Sequence, residues 1–241
     1  MSFNPFHQFE IFPIVQLSLA GHDISFTNSA LFMVAAVLII VGFFYFSARC
    51  ATIVPGKLQS TAEVIFQFID NTLFESAGHK GKAFFPFIFT LFTFLLTLNL
   101  LGMMPYGFTV TSHVIVTFAI AAAIFILVTL TGFIKHGLHF LSLFLPQGTP
   151  IWLAPILFII ELLSFLSRPI SLSIRLAGNM LAGHVLLKVL ASFVIMMGIG
   201  GILPIPFMVV MVGFEVFVAV LQAYIFTILT CVYLNDAINL H

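Results

Sequence analysis

The sequence predicts an all-α integral membrane protein, with about five membrane-crossing helices and one amphipathic helix at the membrane interface. Of its 241 residues, 61% are hydrophobic and 7% are charged, and the mean hydropathy is +1.23. Because soluble domains carry about 25% charged residues, this chain has too little polar surface to face water on all sides. It also contains several uncharged runs of about 20 residues, the length of helix that crosses a bilayer core about 30 Å thick.

These runs define the predicted crossing segments in chain order. Three have the length of a single crossing: residues 29–48, 84–104 and 113–134. Two longer segments follow, at 151–199 and 203–235. As continuous helices they would extend about 73 Å and about 50 Å, well beyond one bilayer core. Either each segment breaks into pieces or each is strongly tilted, and we expect two tilted helices that form a hairpin.

A different helical pattern lies between the first two crossing segments, at residues 57–77. Apolar residues recur there at helical spacing, with Glu63, Asp70 and Glu75 interleaved. This pattern is typical of an amphipathic helix that lies in the membrane interface. We expect this helix to anchor and position the crossing helices rather than to perform chemistry.

Basic residues outside the crossing segments predict the orientation of the chain. Those on one side are Arg49, Lys57, Lys80, Lys82 and Lys135. The segments on the other side, which include the N-terminal residues 1–28, contain no Lys or Arg. The positive-inside rule therefore predicts that the N-terminus lies outside and the C-terminus inside. His136 and His139 are interpreted as part of the inner basic rim rather than as a metal site.

Composition and motifs exclude several classes of function. The formal net charge is zero, so no basic surface is available for nucleic acid. The chain contains no P-loop, zinc-ligand spacing, Gly-rich dinucleotide turn or Ser/His/Asp set. The two cysteines, Cys50 and Cys231, indicate neither a disulfide framework nor a metal cluster. We therefore expect that the chain has no catalytic residue, binds no cofactor or metal, and does not bind ATP itself.

The two longest segments concentrate the polar residues that would lie at membrane depth. An Arg at the bilayer centre costs about 2.5 to 17 kcal/mol, depending on the method, so such residues face water or a partner. Glu161, Arg168 and Arg175 are spaced by sevens, which returns each to nearly the same helix face. Ser171 and Asn179 lie one helical turn from that stripe. Nearby small residues would allow another helix to approach closely: Ala177, Gly178, Ala182 and Gly183.

A second polar group is predicted on a different face. His184 follows Arg175 by nine residues, a rotation near 180°, so it points the other way. On the next helix, Glu215 and Gln222 share a face. A His and a Glu at similar depth would make a proton relay, because His titrates near neutral pH and burial brings a carboxylate toward the same range. Gln222 would hold water or orient a partner without titrating.

Each of these interpretations has a structural alternative. An intramembrane Arg would also serve as a partner for Glu161 or as a snorkelling residue at a helix end. His184 and Glu215 would also be a satisfied buried ion pair. Lys188 is expected to be structural, with its ammonium group reaching the outer interface.

Three runs of the sequence are similar to segments of one known family. The most specific is SRPISLSIRLAGNMLAGH, residues 167–184. The others are EVFVAVLQAYIF, residues 215–226, and NLLGMMP, residues 99–105. In these runs the chain resembles subunit a of the F-type ATP synthases, in its mitochondrial and alphaproteobacterial-like form, and the resemblance extends from about residue 5 to the C-terminus. Residues 215–226 resemble the last helix of the family, and residues 99–105 resemble an earlier span.

The resemblance implies a role for each matching residue. Arg175 would face a ring of c subunits and keep two aqueous half-channels apart. His184 and Glu215 would be the polar pair of the outer half-channel. Three further positions would belong to the proton path: Asn179, Gln222 and Glu161. Four would have structural or secondary roles: Arg168, Ser171, Lys188 and Asn99.

The resemblance also implies the function. The chain would be the proton-translocating stator subunit of the ATP synthase membrane sector, in a bacterial or mitochondrial inner membrane, and not an enzyme alone. Its partners would be the c-subunit ring, the b-type subunits of the peripheral stalk, the rest of the ATP synthase and the lipid bilayer. A secondary transporter, the main alternative, usually shows an internal repeat with paired broken helices. A purely structural membrane subunit would leave the intramembrane charges unexplained.

Overall fold

The protein is almost entirely helical over the part of the chain that the computed structural model describes. The described residues are 10–16, 18–19, 22–23, 25–49, 51–104, 107–144 and 152–239. They form six α-helices: α1 Asn28–Arg49, α2 Lys57–Ala77, α3 Phe85–Gly102, α4 Val114–His136, α5 Ala154–Met196 and α6 Pro204–Ile238. Short 3-10 segments join them: His79–Phe84, Val110–Ser112, Gly137–Phe144 and Gly198–Ile202.

Among the described residues, five helices are long and apolar enough to cross a membrane. They contain α1, α3, α4, α5 and α6, so the all-α membrane fold that the sequence predicts is confirmed. The remaining helix, α2, occupies the range of the predicted amphipathic helix. It buries Ala62, Ile69, Leu73 and Ala77 against the bundle, while Glu63 is exposed.

The two longest helices do not break. α5 has 43 residues and continues through Pro169, and α6 has 35 residues. The alternative in which these segments divide into pieces is therefore wrong. Their lengths are about 65 Å and about 53 Å, which fit a bilayer core of about 30 Å only with a strong tilt. The predicted start of α5, Ile151, lies outside the described residues.

Two short antiparallel strand pairs precede α1. The strands are β1 Pro13–Val15, β2 Ser18–Leu19, β3 His22–Asp23 and β4 Phe26–Thr27. β1 pairs with β4, and β2 pairs with β3. Asn28 closes the first pair, because its Nδ2 donates to the Glu10 carbonyl at 3.1 Å. The sequence does not predict these strands, which lie in the segment 1–28; residues 1–9 of that segment are outside the described residues.

α6 lies at the centre of the bundle, where it packs against α2, α3, α4 and α5. Aromatic rings pack between neighbouring helices: the ring centroids of Phe68 in α2 and Tyr224 in α6 are 5.5 Å apart. α1 packs mainly on α3 and leaves much of its apolar surface exposed. The largest fully buried side chains around α6 come from four helices: Ile69, Leu73, Ile88, Leu95, Leu176, Met180, Phe226 and Leu234.

At one end of the bundle, the segment before α3 and the last residue of α4 contact the C-terminal end of α6. Lys80, just before α3, donates from Nζ to Asn239 Oδ1 at 3.1 Å. His136, the last residue of α4, lies 3.1 Å through its Nε2 from the Ile238 carbonyl oxygen. We call this end of the bundle the basic end.

The opposite end is the hairpin tip, residues 185–214, where α5 turns into α6. Gly198 makes this turn with a φ of +56°, a conformation that other residues rarely adopt. A Cβ on Gly201 would collide with the Val194 carbonyl oxygen, so the turn also requires glycine there. Most large side chains of the tip are apolar and exposed.

Candidate functional site

His184 and Glu215 face each other where α5 and α6 pack together. Their relative exposures are 9% and 5%, and His184 Nδ1 lies 3.5 Å from Glu215 Oε1. A charge at such a position is costly unless a partner compensates it. At this distance the imidazole and the carboxylate are close enough for a proton to pass between them directly or through one water molecule.

Gly183 makes this approach possible. A Cβ built on Gly183 would lie 2.7 Å from Glu215 Oε1, closer than real Cβ contacts. The sequence indicates Gly183 only as a position of close helix approach. The structure identifies the approaching group as the Glu215 carboxylate, which therefore occupies space that any larger residue at 183 would fill.

A cavity of about 450 Å³ opens beside this pair, between α5 and α6. Its polar lining comes from Asn179, Glu215 and Gln222, and the remainder is apolar. The cavity can hold several water molecules, because it is large and offers polar partners. Gln222 is buried and Asn179 is exposed, so the cavity leads from Glu215 toward the exposed surface of α5.

Arg175 lies outside that cavity lining, on the exposed face of α5. Within the described residues it makes no hydrogen bond or ion pair with another side chain. Glu161 is half-buried and likewise has no ion-pair partner there, so the alternative in which the two pair with each other is wrong. Ser171 and Gly178 are exposed beside Arg175, and a Cβ on Gly178 would meet nothing within 4 Å.

Arg168 has different surroundings, although it belongs to the same sequence stripe. It is half-buried, and its Nη1 donates to Asp236 Oδ2 at 3.4 Å. Its guanidinium also lies over the rings of Tyr233 and Phe165, at 4.9 Å and 5.4 Å from their centroids. Sequence reasoning missed Asp236 and Tyr233, because nothing local to Arg168 indicates a partner 68 residues away.

Two further polar residues, Asn99 and Lys188, lie near the pair. Asn99 of α3 is fully buried, and its Nδ2 donates to the Ala219 carbonyl at 3.0 Å. This bond ties α3 to α6 one turn after Glu215. Lys188 is half-buried on α5, one turn after His184.

The site therefore has two parts. The structure brings Glu215, Asn179 and Gln222 together around one cavity, with His184 against Glu215. It leaves Arg175 on the exposed face nearby. Among the residues that the structure describes, no group of three or more His, Cys, Asp or Glu side chains is arranged to hold a metal ion. The arrangement suits proton movement, since titratable groups lie at membrane depth beside space for water.

Comparison with known protein families agrees with this geometry. The family model described as ATP synthase A chain matches residues 30–235. The matched range contains the site residues described above except Asp236, which follows its last residue, and it contains the five apolar helices almost entirely. Proteins of this family are not catalytic on their own, because the catalytic sites of the complex lie in its F1 sector. The chain therefore belongs to the ATP synthase A chain family, and it is a proton-translocating subunit of the membrane sector of that complex.

Proposed function

We propose that this chain forms two aqueous half-channels against a rotating ring of c subunits, so that proton flow turns the ring and drives ATP synthesis. The observation that carries the proposal is Arg175. It is a permanent charge, exposed on an apolar helix, with no partner among the described residues. Such a charge at membrane depth requires water or a partner outside the chain. A carboxylate on another subunit supplies that partner.

The first half-channel is the cavity beside Glu215 and His184. A proton enters from the outer side, passes along the coupled pair, and reaches the exposed surface of α5 near Asn179. Gln222 orients water in this path without changing its own charge. The 3.5 Å separation of His184 Nδ1 and Glu215 Oε1 supports direct coupling of the two groups.

At the surface of α5 the proton neutralises a carboxylate of the c ring. Only the neutral acid moves into lipid at low cost, because an ionised group in hydrocarbon is strongly unfavourable. Arg175 attracts the ionised form and so separates the two half-channels. Each proton that crosses a potential of 100 mV delivers about 2.3 kcal/mol, which ring rotation passes to the F1 sector.

The second half-channel opens on the inner side, near Glu161 and Ser171. Glu161 is half-buried and Ser171 is exposed, so both are open to a water-filled path on the Arg175 face of α5. The chain lies in an energy-coupling inner membrane, with its N-terminus on the outer side and its C-terminus on the inner side. The b-type subunits of the peripheral stalk hold the chain against rotation.

Site-directed cross-linking tests the proposed ring contact. In a complex without native cysteines, Gly178→Cys presents a thiol beside Arg175, and Leu38→Cys presents one on α1, where Leu38 is 66% exposed. Each is combined with a cysteine on the lipid-facing side of the c subunit. We expect oxidation to link Gly178→Cys to the c subunit and to leave Leu38→Cys unlinked. Equal yields at both positions, or none at Gly178→Cys, would refute the ring contact.

A further inference from the structure

The C-terminal end of α6 has a charge pattern that is unfavourable when it is considered alone. Carbonyl groups at a helix C-terminus carry partial negative charge and favour nearby cations. The last turn of α6 contains no basic residue, and it contains the acidic Asp236. Cations from other parts of the chain would therefore stabilise this turn.

Arg168 of α5 supplies the first of these cations. It forms the ion pair with Asp236 at 3.4 Å and lies between the rings of Phe165 and Tyr233. The aromatic faces add cation–π attraction and restrict the guanidinium. Because Tyr233 and Asp236 both belong to the end of α6, Arg168 holds that end through two different kinds of contact.

Two other elements supply the remaining contacts. His136 of α4 faces the Ile238 carbonyl oxygen at 3.1 Å, and this oxygen is one of those that the helix itself leaves without a partner. Lys80 donates to Asn239 Oδ1 at 3.1 Å, and Asn239 Nδ2 donates to Asn235 Oδ1 at 2.8 Å. The end of α6 is thus held from α5, from α4 and from the segment before α3.

We propose that Lys80, His136 and Arg168 form a clamp that sets the axial register of α6, and that these three positioning residues thereby control the geometry of Glu215. The effect on proton movement rests on the proposed function, whereas the effect on register does not. α6 is continuous from Glu215 to Asp236, about 32 Å along the helix axis. A shift at the clamped end is therefore transmitted to the site.

The site tolerates little axial shift. A slip by one residue moves a helix by about 1.5 Å and rotates it by about 100°. The Glu215 carboxylate lies 3.5 Å from His184 and directly against Gly183, so such a slip would break both contacts. Clamp variants are expected to alter proton movement while the apolar core still assembles.

The test measures register and proton flux in the same complex, purified whole and without native cysteines. Ala191 and Met208 line one gap between α5 and α6 in the hairpin tip. Oxidation should link Ala191→Cys to Met208→Cys in the parent protein. In Arg168→Gln, we expect this yield to fall, because a slip of one residue rotates position 208 by about 100° away from α5.

Passive proton flux per assembled complex should fall about fivefold in Arg168→Gln, the factor that corresponds to roughly 1 kcal/mol. Arg168→Lys should recover part of the flux, because it keeps the charge and loses the planar stacking. The double variant Arg168→Asp with Asp236→Arg, which reverses the pair, should show more proton flux than either single reversal. If Arg168→Gln fails to assemble, the exposed Lys80→Gln variant gives the same two readings with smaller effects.

Lys82→Gln is the matched control, since Lys82 is a neighbouring exposed cation whose ammonium group makes no hydrogen bond or ion pair with a described residue. It should leave both readings unchanged. Unaltered cross-linking in both Arg168→Gln and Lys80→Gln would overturn the clamp, as would equal effects of Lys82→Gln. Altered cross-linking in a chain whose parent shows no proton flux would instead refute the proposed function and leave the clamp supported.

Discussion

Arg168 and Arg175 lie two turns apart on α5, belong to the same sequence stripe, and have opposite surroundings. Arg168 has an acidic partner and two aromatic rings within the chain. Arg175 is exposed and has no hydrogen-bond or ion-pair partner among the described residues. A charge that pairs with groups of its own chain helps to hold the fold together. A charge that lacks such a partner on an apolar surface indicates a partner in another subunit.

The largest effect should follow from removal of the unpaired charge. Arg175→Ala is expected to abolish proton-driven ATP synthesis in membrane vesicles while the complex still assembles, because no chain contact is lost. Arg175→Lys should also fail substantially, since a compact ammonium replaces a broad, always-charged guanidinium. Ile174→Ala, at a neighbouring exposed position, is the control and should retain synthesis. Coupled synthesis at normal rates in Arg175→Ala would disprove the role of this residue.

The next effect concerns the buried pair, where the relay and the ion-pair interpretations differ. In a relay, His184→Ala or Glu215→Gln should each slow passive proton flux through membranes stripped of F1. The double variant should slow the flux little more than either single variant. In a structural ion pair, each single change destabilises the protein because it leaves one buried charge without its partner. The double change then restores stability. Subunit abundance must be measured alongside flux.

Wild-type flux per assembled complex in both single variants would rule out the relay. Exchange of the two residues, with His184→Glu and Glu215→His together, should preserve more flux than either single change. It keeps both titrating groups at the same contact between α5 and α6.

A smaller effect is expected at Gly183. Gly183→Ala places a Cβ where the Glu215 carboxylate lies, so the carboxylate must move by a few tenths of an ångström or more. We expect flux to fall roughly tenfold, the change produced by about 1.4 kcal/mol, without loss of assembly. Gly213→Ala is the matched control on α6, because a Cβ there meets nothing within 4 Å. Equal flux in the two variants would show that Glu215 does not require its present position.

The last prediction concerns the orientation of the chain, and its cysteine variants are expected to change activity least. It is tested by labelling with a thiol reagent. Gln16→Cys should react with an impermeant thiol reagent added outside, and Lys57→Cys should not. Both residues are exposed, so access to the reagent depends on the side alone. The reverse pattern would invert the predicted orientation and exchange the roles of the two half-channels.

Sequence reasoning was sufficient for features that depend on local pattern. Hydropathy predicts the apolar helices, since the bilayer sets their length, and rotation along α5 separates His184 from Arg175. It did not decide whether α5 continues through Pro169, because proline kinks or breaks a helix according to the packing around it. The partner of Arg168 and the crowding of Gly183 by Glu215 depend on contacts between α5 and α6. No local pattern on either helix contains that information.

The comparison between the two arginines is tested most directly by rescue. ATP synthesis per assembled complex is measured for Arg168→Gln and Arg175→Gln, each with and without Asp236→Asn. Removal of the Asp236 carboxylate should restore part of the synthesis in Arg168→Gln, since this half-exposed charge is then no longer left without its cation. It should restore none in Arg175→Gln, whose partner lies outside the chain. Synthesis in Arg175→Gln, with or without Asp236→Asn, would contradict the assignment of Arg175 to the proton path.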